Sequence, residues 1–282
     1  MSTEILLNGR FVPAEEATIS VLDRGFQFAE SVYEVIRVYR GRPFEMHRHL
    51  RRLRTSLELA GINLGADGVD RLVSQSLELL QRSGLQEAAI YFQISSGTAP
   101  RSHLAPDELS PTIIAMVSPA SPPSDELREQ GIKVITLSDG RWAQCYIKTT
   151  MLLPNTAARQ RAAEAGCRDA LFIRDDFLME STAGNSFVVF GDTLWTPPAS
   201  NYILHGITRE IVLELAAANG IPCIQGPIPA NRLYGADELF ITGTVTELLP
   251  VTTVDGKPVG SGQPGPMYAR LHELYRRYTQ GE

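Results

Sequence analysis

The sequence predicts an α+β protein of two domains, and three observations carry that reading. The first 118 residues alternate between strand-like and helix-like periods, the segment Ser118-Pro119-Ala120-Ser121-Pro122-Pro123-Ser124 has the composition of a linker, and the remainder is dominated by short strands separated by polar turns. A chain of 282 residues is long enough for two ordinary domains with a core each. The boundaries that follow are a first domain over residues 1–118, an interdomain linker over 119–130 and a second domain over 131–282.

In the first domain, Ile5-Leu6-Leu7 and Phe11-Val12 flank Asn8-Gly9-Arg10, and Asn-Gly is the dipeptide that most strongly favours a tight hairpin. A turn at Asp23-Arg24-Gly25 precedes residues 31–39, whose β-branched and aromatic content marks a strand that breaks at Gly41, with Tyr33, Val35, Arg37 and Tyr39 on one face. Residues 46–60 carry Leu50, Leu53, Leu57 and Ala60 at helical spacing, which leaves Arg48, Arg51, Arg52 and Arg54 on the solvated side. A second helix spans 69–82 and stops at Gly84, strands span 89–95 and 111–118, and residues 96–103 form the loop between them. In the second domain, strands are expected over 133–137, 170–173, 178–180, 187–190 and 194–195, with an amphipathic helix over 155–165 ended by Gly166. A further helix, 209–218, opens at His205-Gly206-Ile207-Thr208, and a strand over 238–241 runs into Thr242-Gly243-Thr244-Val245-Thr246.

Bulk composition excludes several functions. The net charge is −6 and the densest basic run is Arg48 to Arg54, which argues against a nucleic-acid or anionic-membrane partner. No stretch approaches the roughly 18 apolar residues of a membrane span, and the start lacks a signal-peptide pattern. Cys145, Cys167 and Cys223 are odd in number and scattered, so they read as free thiols of a reducing cytoplasm. Neither a Ser-His-Asp arrangement nor a metal-ligand spacing occurs, and no metal is expected.

Lysine occurs only at Lys133, Lys148 and Lys257, so arginine supplies 23 of the 26 Lys and Arg residues. Lys148 lies between Cys145-Tyr146-Ile147 and Met151-Leu152-Leu153, an apolar setting in which an ammonium is costly and an amine loses its proton more readily. That is what a nucleophilic lysine needs, although a strand-end lysine reaching out to water fits the same local context. Arg101 and His103 stand two residues apart at a strand end. A guanidinium fork and an imidazole donor suit a carboxylate, and equally describe an ordinary surface loop. The Gly-Thr segments at Gly206-Ile207-Thr208 and Gly243-Thr244 offer backbone N–H groups and hydroxyls to an anion, as an ordinary N-cap also does.

Several segments, taken in order, resemble the fold-type IV pyridoxal-phosphate enzymes, and within them the D-amino-acid aminotransferases. They include Asp23-Arg24-Gly25-Phe26-Gln27-Phe28, Val32-Tyr33-Glu34-Val35, Gly97-Thr98-Ala99-Pro100-Arg101-Ser102-His103, Ile147-Lys148-Thr149, Met179-Glu180-Ser181, Gly206-Ile207-Thr208-Arg209 and Asp237-Glu238-Leu239-Phe240-Ile241-Thr242. The resemblance implies a small α/β sandwich and a larger β-rich pseudobarrel, pyridoxal 5'-phosphate in the cleft between them, and a homodimer whose sites borrow residues across the interface.

Carried onto this chain, the resemblance makes Lys148 the Schiff-base lysine in the larger domain. Glu180 becomes the partner of the pyridine nitrogen, while Arg52, Ile207, Thr208 and Thr244 become phosphate contacts. Tyr33, Arg101 and His103 form a trap for the substrate carboxylate, the last two supplied by the partner subunit. The implied reaction passes an amino group from a D-alanine-like donor to a 2-oxo acid, with Lys148 as the proton shuttle. The chain departs from the D-amino-acid pattern at Ser181-Thr182-Ala183-Gly184-Asn185, at Tyr146 and at Met151. A branched-chain L-amino-acid aminotransferase and an aminodeoxychorismate lyase are the alternatives. The Arg101-Ser102-His103 trap counts against the first, and the second is distinguished by pyruvate release without an acceptor.

Overall fold

The computed structural model describes residues 4–281. The chain divides into two compact units, Met1–Ser121 with Ile147–Met151, and Pro122–Tyr146 with Leu152–Glu282. The first three residues, part of the start read above for a signal peptide, lie outside the described residues.

The first unit is built on one antiparallel sheet. Its elements are β1 (Glu4–Leu7), β2 (Arg10–Pro13), α1 (Arg24–Phe28), β3 (Ser31–Tyr39), β4 (Arg42–Pro43), α2 (Met46–Leu59), α3 (Gly68–Ser83), β5 (Ala88–Ser95) and β6 (Thr112–Pro119), with strand order β2-β1-β6-β5-β3-β4. Asn8 and Gly9 both take positive φ, 49° and 80°, the backbone of the two-residue turn that matches strand twist. Along β3 one face is buried throughout. Val32, Glu34, Ile36 and Val38 are fully buried, and their β5 partners Ile94, Phe92, Ile90 and Ala88 complete the same apolar surface. α2 packs on β3 and α3 on β1 and β6, so the unit is a two-layer α/β arrangement.

The inward face of α2 differs from the expected stripe. It consists of His49, Leu53, Ser56 and Leu57, while Ala60 is exposed. Arg52, expected on the solvated side, is turned inward with only 11% of its side chain exposed. The cause is Glu34, whose buried carboxylate on β3 draws both Arg52 and His49 toward the sheet.

The second unit comprises α4 (Asp125–Gln130), β7 (Ile132–Ser138), α5 (Leu153–Glu164), β8 (Asp169–Arg174), β9 (Phe177–Ser181), β10 (Asn185–Phe190), β11 (Thr193–Thr196), α6 (Ile207–Ala218), β12 (Cys223–Gln225), β13 (Glu238–Gly243), β14 (Glu247–Val254), β15 (Lys257–Pro258) and α7 (Pro266–Gln280). The strand path β12-β11-β10-β13-β14-β7-β8-β9 closes on itself because Glu180 of β9 pairs with Asn185 of β10. A closed ring of six strands, β10-β13-β14-β7-β8-β9, results, which is the β-rich pseudobarrel the resemblance implies. Val134, Leu171, Val188, Leu239, Ile241 and Val251 belong to its core. On the flanks, α6 packs on α7 and β13, while α5 sets Ala158 and Ala162 against Ala170 and Phe172 of β8.

Two assignments change. The segment 119–130 is expected as linker, but its second half forms α4, with Ser124 accepting from Leu127 N–H as N-cap and Leu127 packed on the barrel core. Residues 147–151 group with the first unit, not the second. Thr149 forms a β-bridge with Val32, the Tyr33 N–H donates to the Lys148 carbonyl at 2.9 Å, and the Thr150 N–H donates to the Ser31 carbonyl at 3.0 Å. This edge pairing fixes the segment to β3.

Candidate active site

In the first unit, Lys148 is joined to Tyr33 twice, through the backbone bond above and through its side chain. Its Nζ lies 4.2 Å from the Tyr33 ring centroid, within cation–π reach, and its backbone N–H donates to the Ser56 hydroxyl at 3.3 Å. Lys148 is half-buried. Tyr33 in turn faces Tyr91, with ring centroids 5.8 Å apart, and the Tyr91 hydroxyl donates to Gln93 Oε1 at 2.8 Å. Burial pushes the Tyr91 hydroxyl up to about 12, so it remains a neutral donor.

On the opposite face of β3, Glu34 accepts from Arg52 Nε and Nη2 at 2.7 and 2.8 Å and contacts His49 Nδ1 at 2.8 Å. Burial opposes the Glu34 charge, but Arg52 outweighs it and His49 adds a hydrogen bond, leaving the carboxyl at about 2. His49 is shifted down, first by burial. The pairing fixes the plane of the Arg52 guanidinium.

Arg101 and His103 are exposed and gather on Phe28 at the end of α1. The Arg101 guanidinium carbon lies 5.0 Å from that ring's centroid, and the His103 ring meets it edge-on at 5.6 Å. Their loop is tied down by Arg24, a buried guanidinium that donates to the Ser102 and His103 carbonyls at 2.7 and 3.3 Å and pairs with both oxygens of Glu30. Among the described residues, no hydrogen bond or ring contact joins Arg101 or His103 to Tyr33 or Lys148.

In the second unit, Glu180 is buried at the barrel seam. Its carboxylate accepts from Arg141 Nη1, from Asn185 Nδ2 at 2.9 Å and from the Leu204 N–H at 3.1 Å to each oxygen. Arg141 is itself held by Asp139 at 2.9 and 3.0 Å, and Asp139 also accepts from Arg174 at 3.2 Å. Burial lifts the Glu180 carboxyl to about 7 in spite of Arg141. Sequence reasoning gives Arg141, Asp139 and Arg174 no role. The one local signal is the Asp139 to Arg141 spacing, which closes a turn through the Arg141 N–H at 3.0 Å.

Ile207 and Thr208 open α6 and are buried. Gly206 at the N-cap contributes no side-chain hydrogen bond, so the first N–H groups of the helix have no capping side chain. Thr244 lies in the turn after β13, next to Gly243, where a Cβ would stand 3.3 Å from the Ala183 carbonyl.

Comparison with known proteins decides the family. The pattern of the family described as Amino-transferase class IV matches residues 31–254, most of the chain. The chain belongs to the class IV aminotransferases. Among its relatives, the D-alanine aminotransferase of Bacillus licheniformis is 38% identical over 94% of this chain and 93% of that protein. The D-alanine aminotransferase of Staphylococcus aureus (strain COL) is 34% identical over 98% of each. A solved branched-chain amino acid aminotransferase from T.th., with pyridoxamine 5'-phosphate, gives a TM-score of 0.91 at 27% identity, covering 100% of this chain and 95% of that one. The Escherichia coli branched-chain enzyme gives 0.90 at 26% identity, over 98% and 94%.

This aminotransferase is therefore a pyridoxal-phosphate-dependent enzyme, and its residues fit that group. A carboxylate has about four acceptor sites, and Glu180 keeps room beside its present donors for a protonated ring nitrogen. The opening turn of α6, which receives no side-chain bond from its N-cap residue, is suited to a phosphate by its first N–H groups and helix dipole. Among the described residues no group of His, Cys, Asp and Glu could hold a metal ion, and no helix is long and apolar enough to cross a membrane.

Proposed function

We propose that this chain transaminates D-amino acids, taking the amino group from a D-alanine-like donor and passing it to a 2-oxo acid. The observation that carries the reading is its 38% identity, over 94% of its length, to a D-alanine aminotransferase. When bound, pyridoxal 5'-phosphate supplies an aldehyde carbon and an electron-withdrawing ring. The residues of the chain do the rest. Lys148 would supply the amine that holds the cofactor, and its Nζ would take the substrate α-hydrogen and later return a proton. The Tyr33 ring against Nζ limits the arc that the amine sweeps. Glu180 would address the ring nitrogen and hold a proton there. Ile207, Thr208 and Thr244 would hold the phosphate, and Arg52, oriented by Glu34, would be the side-chain cation assigned to it.

Tyr33, Arg101 and His103 are assigned to the substrate carboxylate, with Arg101 and His103 reaching the site of the partner subunit in a homodimer. Their exposure supports this, as do the exposed apolar side chains of the same unit, Val21, Phe26 and Leu104, at 71%, 71% and 83%. The free thiols Cys145, Cys167 and Cys223 suit a reducing compartment, and the enzyme is assigned to the cytoplasm.

The test is a panel of D- and L-amino acids with 2-oxoglutarate, analysed for chiral product. Turnover of D-alanine well above any L-amino acid is expected. Preference for L-leucine or L-valine would instead select the branched-chain reading that the solved structures favour, and pyruvate release without an acceptor would select the lyase.

A further inference from the structure

Asn185 occupies the position where β10 meets both of its neighbours, opposite Glu180 of β9 and opposite Thr242 of β13. It is 4% exposed, and the two ends of its amide face different segments. Nδ2 donates to Glu180 Oε2 at 2.9 Å and to the Leu204 carbonyl at 2.8 Å. Oδ1 lies against the backbone of Gly206, so closely that a Cβ on that glycine would stand 2.0 Å away. The Leu204 N–H returns to Glu180, which closes a ring of hydrogen bonds through Glu180, Asn185 and Leu204.

Residue 206 is the N-cap of α6 at φ −71°, a conformation any residue adopts, so the need for glycine there is close approach alone. The asparagine could make room for a Cβ only by rotating its amide. Because Nδ2 moves with Oδ1, that rotation releases Glu180 and the Leu204 carbonyl together. Aspartate would keep the shape and place a second carboxylate beside Glu180 with no donor. Glutamine would be one methylene too long for the same gap.

We infer that Asn185 is a positioning residue that sets the spacing between the Glu180 carboxylate and the opening turn of α6, so that one ligand is gripped at ring nitrogen and phosphate as a unit. This rests on the reading that Glu180 addresses the pyridine nitrogen and Ile207 and Thr208 the phosphate. The consequence is coupling. Pyridoxal 5'-phosphate spans both ends, whereas pyridoxal, without the phosphate, reaches one.

The experiment titrates the apo-protein with pyridoxal 5'-phosphate and with pyridoxal, by absorbance and by thermal shift, in the native chain, Asn185→Ala, Asn185→Asp, Gly206→Ala and Asn185→Ala/Gly206→Ala. Loss of a buried bond to a charged group should weaken pyridoxal 5'-phosphate binding about tenfold to a hundredfold in Asn185→Ala and in Asn185→Asp. Pyridoxal should weaken less, so the ratio of the two affinities falls. Gly206→Ala should cost about tenfold alone and under about threefold once Asn185 is alanine, because the obstructing oxygen is gone. Equal losses for both ligands, or an equal cost of Gly206→Ala in both backgrounds, would overturn the inference. The isosteric Asn185→Asp keeps the comparison valid should the alanine variant unfold. Failure of the native apo-protein to bind pyridoxal 5'-phosphate would overturn the underlying reading as well.

Discussion

The Arg141 guanidinium donates to the Glu180 carboxylate inside the barrel, and both side chains are only 6% exposed. Burial and Arg141 act in opposite directions on that carboxyl, and burial prevails, at about 7. Arg141→Gln therefore removes the force that favours the charge and should push the pKa of Glu180 higher still. At neutral pH most of Glu180 would then be protonated, and in the role proposed for it at the ring nitrogen it could no longer keep that nitrogen charged. Turnover is expected to fall about tenfold or more and to recover partly as pH rises. A pH profile of kcat checks this, and an unshifted profile would sink it.

The same group leaves a mark on stability. The folded pKa of Glu180 is raised from 4.5 to about 7, so its contribution is fully present below about pH 4.5 and is lost as pH rises through about 7. The size is on the order of 3 kcal/mol. Melting of the apo-enzyme across that window should therefore decline with pH. Glu180→Gln, which cannot titrate, should flatten the decline.

Glu34 has the opposite sign. Its folded pKa is depressed to about 2 by Arg52 and His49, so it stabilises above pH 4.5 and the effect is lost as pH falls toward 2. Glu34→Gln leaves Arg52 and His49 facing a neutral amide in a buried site. A loss of about 3–5 kcal/mol in urea unfolding at pH 7 is expected. A change below about 1 kcal/mol would mean that water compensates the Arg52 guanidinium.

Lys148 is tied to β3 by main-chain bonds, so its side chain can be removed without releasing the segment. Lys148→Ala should keep the fold, since the Tyr33 N–H to Lys148 carbonyl bond and the Val32 to Thr149 bridge involve backbone alone. Transamination should be abolished, and an external amine should restore little. Circular dichroism together with a coupled pyruvate assay separates the two effects. Full turnover in the variant would remove Lys148 from the role proposed for it.

These groups differ in how far the sequence exposes them. Lys148 stands out because lysine is rare in this chain, and Tyr33 because β3 reads cleanly as a strand. Arg141 has no such contrast, being one of 23 arginines, and its meaning comes from a barrel strand 39 residues later. Asn185 and Gly206 are likewise defined by a contact between separate segments, which local periodicity cannot register. Arg52 reads onto the wrong side of α2 because the three nearby arginines, Arg48, Arg51 and Arg54, suggest a solvated face, whereas the buried Glu34 lies on another element. Helix α7 does carry local signals, Pro266 in its first turn and Tyr268, Leu271 and Tyr275 buried at helical spacing, although no element is expected there from the sequence.

The loop of Arg101 and His103 provides the last test. Arg24 and Arg101 face the same Phe28 ring, at 4.9 and 5.0 Å, yet among the described residues only Arg24 of the two has a carboxylate partner, Glu30, and a place in the core. Arg24 therefore shapes the loop, and Arg101 is presented outward. Arg101→Ala should leave the loop, the fold and cofactor absorbance unchanged, because none of the Arg24 bonds depends on it. What it should change is KM for D-amino acids, about tenfold to a hundredfold for the loss of a guanidinium to carboxylate contact. Arg24→Ala should instead lower the melting temperature, because it leaves Glu30 and two loop carbonyls without their donor. If Arg101→Ala instead lost the cofactor spectrum with KM unchanged, Arg101 would belong at the phosphate and the substrate carboxylate would need another partner.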